Sequence, residues 1–106
     1  MKHKFFEKHQ FVANFLAKFQ NAYVNLNIGN INETHDFVAK RLELTKSSFQ
    51  MLRYEYDGFY DFRKGLPNPY KRKSRVEHKE KYDKFDFESY LSLVKIVLQN
   101  PEINIE

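Results

Sequence analysis

The stretch Phe37-Val38-Ala39-Lys40-Arg41-Leu42-Glu43-Leu44-Thr45-Lys46-Ser47-Ser48-Phe49-Gln50-Met51-Leu52-Arg53-Tyr54 places its small and apolar residues where a helix-turn-helix needs them. Ala39 is small enough to let a second helix cross closely. Val38, Leu42, Leu44, Phe49 and Leu52 are spaced to fill the wedge between two helices meeting at a steep angle, the geometry of the DNA-reading motif. Glu43 is the main departure. Such a turn usually carries Gly there, where a left-handed backbone is cheap, so Glu costs strain or forces a different turn. The same apolar spacing also suits an ordinary helical hairpin.

Asn32 or Thr34 is expected to cap the first helix of the hairpin, with Glu33 and Asp36 suiting its positive N-terminal end. That helix should end near Leu42. Thr45 is the expected cap of the next, which runs to about Tyr56 and closes at Asp57-Gly58. Upstream, Phe5, Phe11, Val12, Phe15, Leu16, Phe19, Ala22, Tyr23 and Leu26 recur at three- and four-residue steps, predicting a long helix over about Lys4 to Asn25. Downstream, Gly65, Pro67 and Pro69 exclude a regular element through Asp61 to Ser74. A last helix is expected from Asp86 to Gln99, with Phe87, Tyr90, Leu91, Val94, Val97 and Leu98 inward and Pro101 as its stop. These elements predict an all-α fold, a compact single-domain bundle of about four helices over residues 1–106, with a basic loop at about 61–81.

At 106 residues, with eleven Phe and seven Tyr, the chain has large rings enough for one core and no room for a second. Cysteine is absent, which excludes a disulfide framework, a thiolate nucleophile and a thiolate metal site. The apolar N-terminal stretch is interrupted by Glu7, Lys8, His9 and Lys18 and shows no small-residue cleavage pattern, so it reads as neither signal peptide nor membrane span. A cytoplasmic location is the expectation. The net charge is only +4, but residues 63–81 hold eight basic and two acidic side chains, an excess of six. Charge is concentrated there.

If the hairpin reads DNA, its second helix enters the major groove and presents Thr45, Lys46, Ser47, Gln50, Met51, Arg53 and Tyr54. Gln50 can pair bidentately with adenine, Lys46 can reach a guanine edge or a phosphate, and Met51 can touch a thymine methyl. Arg63, Lys64, Tyr70, Lys71, Arg72, Lys73 and Arg75 form the second set, basic residues that neutralise phosphates beside a ring that can stack. The bland alternatives are the solvated face of an amphipathic helix and a charge run that keeps a loop soluble. Catalytic signals are weak. Glu77-His78-Lys79 resembles the acid, x, Lys tripeptide of metal-dependent nucleases but lies outside the strand context that motif needs. His3, His9, His35 and His78 lack the spacing of a helical zinc pair and read as exposed or capping residues. No cofactor is expected.

The run from Asn32 to Asn68 resembles the helical N-terminal module that precedes the nuclease domain in some bacterial restriction enzymes of the HNH class. The residues that carry the likeness are Phe37-Val38-Ala39-Lys40-Arg41-Leu42, Thr45-Lys46-Ser47-Ser48-Phe49-Gln50-Met51-Leu52, Phe59-Tyr60-Asp61 and Arg63-Lys64-Gly65-Leu66-Pro67-Asn68. Glu43 stands where that module has Gly. The resemblance implies a module that contacts double-stranded DNA and does not carry over cleavage. The first reading is therefore a small non-enzymatic DNA-binding protein, a regulator or accessory factor of a mobile element. The alternative is a phage-type inhibitor module that meets an acidic surface of a partner protein and occludes a nucleic-acid-binding enzyme.

Overall fold

A computed structural model describes residues 7–19, 21–60 and 73–100, with side chains from residue 75 in the last stretch. The described residues form five α-helices, α1 (Glu7–Lys18), α2 (Ile31–Arg41), α3 (Lys46–Asp57), α4 (Lys73–Tyr82) and α5 (Phe87–Gln99), plus a 3-10 helix at Ala22–Leu26. The all-helical architecture is the expected one. The helix count differs, because α4 occupies residues assigned above to the basic loop.

The long first helix is shorter than its apolar pattern. It stops at Lys18, and Asn21 takes a left-handed backbone with φ 58° before the 3-10 turn. Asn27 does the same at the other end of that turn, with φ 57°. Asparagine tolerates this region better than other side chains, which is why an apolar periodicity that continues to Leu26 does not continue as one helix. Asn30, ahead of both expected caps Asn32 and Thr34, starts α2 with a full capping box: its side chain accepts from Glu33 N, and Glu33 accepts from Asn30 N. Thr45 and Asp86 cap α3 and α5 as the sequence predicts.

Helix α1 is the centre of the molecule. Every residue from His9 to Ala17 is buried, and the helix packs on α3, α4 and α5, while α2 packs on α3 and the 3-10 helix. A helix buried all round must satisfy its polar residues internally. Phe11, Phe15, Leu16, Val38, Ala39, Leu42, Phe49, Leu52, Tyr90, Leu91 and Val94 share one core cluster, with Phe19 and Leu44 packed against it. Phe11 meets Tyr82 edge-on at 5.0 Å and Tyr90 at 4.6 Å, and Phe19 meets Phe87 edge-on at 5.0 Å, so rings tie α1 to α4 and α5.

The link between α2 and α3 is a Schellman turn. Leu44 N donates to Ala39 O at 2.8 Å and Glu43 N to Lys40 O at 3.2 Å, with Glu43 at φ 62° in the left-handed region. Glu43 therefore adopts the glycine conformation and carries its strain. Leu44 then turns back onto the core, and Thr45 begins α3 at once.

Candidate nucleic-acid interface

The outer face of α3 starts from its cap. Thr45 Oγ1 accepts from Ser48 N at 3.1 Å and donates to Ser48 Oγ at 2.9 Å, so its hydroxyl is occupied in starting the helix. Phe49, Leu52 and Tyr56 fix the inner face in the core. Lys46, Ser47, Met51 and Tyr54 are consequently turned to solvent, with Gln50 half-buried at their edge. No carboxylate occurs from Leu44 to Tyr54. Lys46 forms no ion pair among the described residues.

Gln50 is not free in both senses. Its side-chain amide meets His35 Nδ1 at 3.2 Å, and Arg53 Nη1 meets His35 Nε2 at 3.3 Å. Arginine can only donate, so Nε2 accepts, and a neutral imidazole then carries its proton on Nδ1. Gln50 must offer its carbonyl oxygen to that proton, leaving its NH2 as the free end. The ring is neutral at ordinary pH: burial, with Arg53 and Lys46 nearby, lowers the His35 pKa to about 4. An adenine pair through both ends of the Gln50 amide is thus replaced by a donor alone.

Two of the expected DNA contacts point inward. Arg53 is 8% exposed, against His35 and 3.7 Å from Asp57 Oδ1. Arg75 is 5% exposed and donates to Glu55 Oε1 and to Gln10 Oε1, each at 3.1 Å. Both guanidiniums hold helices together, a role that charge and spacing along the chain do not reveal. Arg63, Lys64, Tyr70, Lys71 and Arg72 lie outside the described residues, as does the side chain of Lys73.

A buried polar ladder along α1 was not visible in the apolar pattern. Tyr56 donates to Gln10 Oε1 at 2.7 Å, Tyr60 to Asn14 Oδ1 at 2.6 Å, Asn14 to the Tyr90 hydroxyl at 3.1 Å, and that hydroxyl to Phe11 O at 2.6 Å. Burial pushes all three tyrosines well above the usual phenol range, so each stays a donor. The i, i+4 spacing of Gln10 and Asn14 was the available signal. His9 and His35 are core residues rather than exposed ones. The His9 ring lies 2.8 Å from the carbonyl of Leu42, where only a ring N–H can bond, so it caps the C-terminal end of α2; burial lowers its pKa while the carbonyl raises it.

At the junction of α1 and α4, Tyr82 donates to Glu7, His78 sits 3.4 Å from the same carboxylate, and Lys81 pairs with it at 2.9 Å. Burial would raise the Glu7 pKa, but the Tyr82 and Lys81 bonds hold it below the usual range. Glu77-His78-Lys79 therefore lies on a helix, not a strand. Among the described residues no group of three His, Cys, Asp or Glu could hold a metal ion, and no helix is long and apolar enough to cross a membrane. Compared with known proteins, the chain matches no family model, no curated protein and no solved structure.

Proposed function

We propose that the chain is a small DNA-binding protein that acts by binding rather than catalysis, with α2 and α3 as a helix-turn-helix and α3 as the helix presented to the major groove. The observation that carries this reading is the outer face of α3, where Lys46, Ser47, Met51 and Tyr54 are exposed beside Gln50 in a run without a carboxylate. The short Schellman turn supports it, since only four residues, Leu42 to Thr45, separate the two helices. Lys46 meets a phosphate or a guanine edge, Met51 a thymine methyl, and the Gln50 NH2 a guanine or thymine acceptor. The basic segment from Arg63 to Lys73 adds phosphate contacts that carry no sequence information.

A titration of the purified chain against random duplex DNA at low salt tests this. Binding should weaken steeply with salt, and Lys46→Ala should flatten the slope of log K against log salt by about 0.9 if Lys46 neutralises one phosphate. No binding by a folded protein overturns the reading. Met51 and Tyr54, large apolar side chains left in solvent on the same face, would then favour the inhibitor-type protein contact.

A further inference from the structure

A groove of about 390 Å³, open to solvent rather than enclosed, lies between the 3-10 helix, α2 and α5. Leu26, Ile28, Phe37 and Leu98 line it with apolar surface, and its titratable lining residues among those described are Arg41 and Lys95, both cationic. Phe37 is 44% exposed although Val38 and Ala39, which follow it in mid-helix, are buried. The groove is held in shape by Arg41, which donates through Nε to Leu98 O and through Nη2 to Gln99 O at 2.9 Å, fastening α2 to the negative end of α5. Lys95 forms no ion pair among the described residues.

Apolar walls under positive charge select the chemistry of an occupant. A nucleic-acid backbone would satisfy the charge but has no apolar group for Phe37 and Leu98. A small molecule needs an enclosing site that buries most of its surface, which an open groove does not provide. A protein segment with a bulky apolar side chain next to a carboxylate meets both requirements. We propose that this groove docks an acidic, apolar-anchored peptide segment of a partner protein, the anchor lying against Phe37 and Leu98 and the carboxylate against Lys95 and the outer edge of Arg41. None of these residues belongs to the α3 face, so the site goes beyond DNA reading and stands or falls separately from it.

Panning a random peptide library displayed on phage against the purified full chain tests the proposal. Enriched peptides should pair Phe, Leu, Ile or Trp with Asp or Glu. Their synthetic versions should bind roughly tenfold or more weakly to Phe37→Ala and to Lys95→Glu, surface variants whose folding is checked by circular dichroism, and should keep their affinity for Lys95→Arg. A peptide with Lys in place of its acid should prefer the Lys95→Glu protein. Absence of enrichment, basic or uncharged winners, or affinity indifferent to both variants would overturn the proposal. A dimer that Phe37→Ala converts to monomer overturns it in favour of a second copy. Tighter peptide binding by the variant Ile103→Ser/Ile105→Ser overturns it in favour of the chain's own acidic, isoleucine-bearing segment 101–106.

Discussion

Glu43 is the residue at which local chemistry and fold disagree most openly. Its φ of 62° costs an L-residue about 1–2 kcal/mol, and the Schellman bonds from Glu43 and Leu44 hold it there. Glycine removes that strain but loses more chain entropy on folding, roughly 0.5–1 kcal/mol. Glu43→Gly should therefore raise stability by up to about 1 kcal/mol in urea unfolding, with the fold unchanged; a loss of stability would mean that the turn does not hold this conformation. His35 makes a second prediction at this scale. Its folded pKa, about 4, lies below the ordinary 6.5, so the unfolded chain binds its proton first as pH falls. The stabilisation is complete above about pH 6.5 and is lost as pH drops towards 4, on the order of 3 kcal/mol at about 1.4 per pH unit. His9, also lowered, adds in the same direction. Urea midpoints at pH 7.5 and pH 5 should differ less for His35→Gln than for the parent; an equal difference removes His35 from the acid response.

Helix α1 shows how an element can be apolar in pattern and polar in function. Gln10 accepts from Tyr56 on α3 and Arg75 on α4, joining three helices at one oxygen. Gln10→Leu leaves two buried donors without that acceptor and should cost about 2–4 kcal/mol, whereas Gln10→Glu, which keeps both bonds, should cost much less. Equal melting temperatures for the two variants would show that the bonds contribute little. The elements legible in the sequence are those with a cap at the start and a stop at the end: Thr45 with Gly58, and Asp86 with Asn100 before Pro101. Helix α4 was illegible because its residues, Lys73 to Tyr82, are mostly charged, with Val76 and Tyr82 their only apolar side chains. It is held by Arg75 and Tyr82 reaching α1, contacts far apart in sequence that no local period records.

Across the whole molecule, the cations are used unevenly. Among those described, Lys18 and Lys79 pair with Asp83, Lys81 with Glu7, Lys40 with Asp36, Arg75 with Glu55 and Arg53 with Asp57, so at least six of the eleven basic side chains described have a carboxylate partner within the fold. The exposed part of the candidate site, Lys46, Ser47, Met51 and Tyr54, followed from helical periodicity once Phe49 and Leu52 were assigned to the core. The inward turn of Arg53 and Arg75 did not, because burial of a guanidinium depends on partners supplied by other helices. This division sets up a prediction about charge. Lys71→Ala/Arg72→Ala/Lys73→Ala should weaken binding to every duplex sequence alike and flatten the salt slope by about 0.9 for each phosphate no longer neutralised. Arg75→Ala, only two residues further on, should behave in the opposite way: it removes the partner of Glu55 and one of the two donors to Gln10, lowering the melting temperature while leaving the salt slope of the remaining folded protein unchanged. Both variants remove basic residues from the same stretch of sequence, so net charge alone would have both flatten the slope, Arg75→Ala by a single phosphate's worth. Salt titrations and thermal melts of the two proteins, measured side by side, separate charge offered to a ligand from charge used to hold α4 on α1 and α3. An Arg75→Ala protein with an unshifted melt and a flattened slope would assign Arg75 to DNA and refute its structural role.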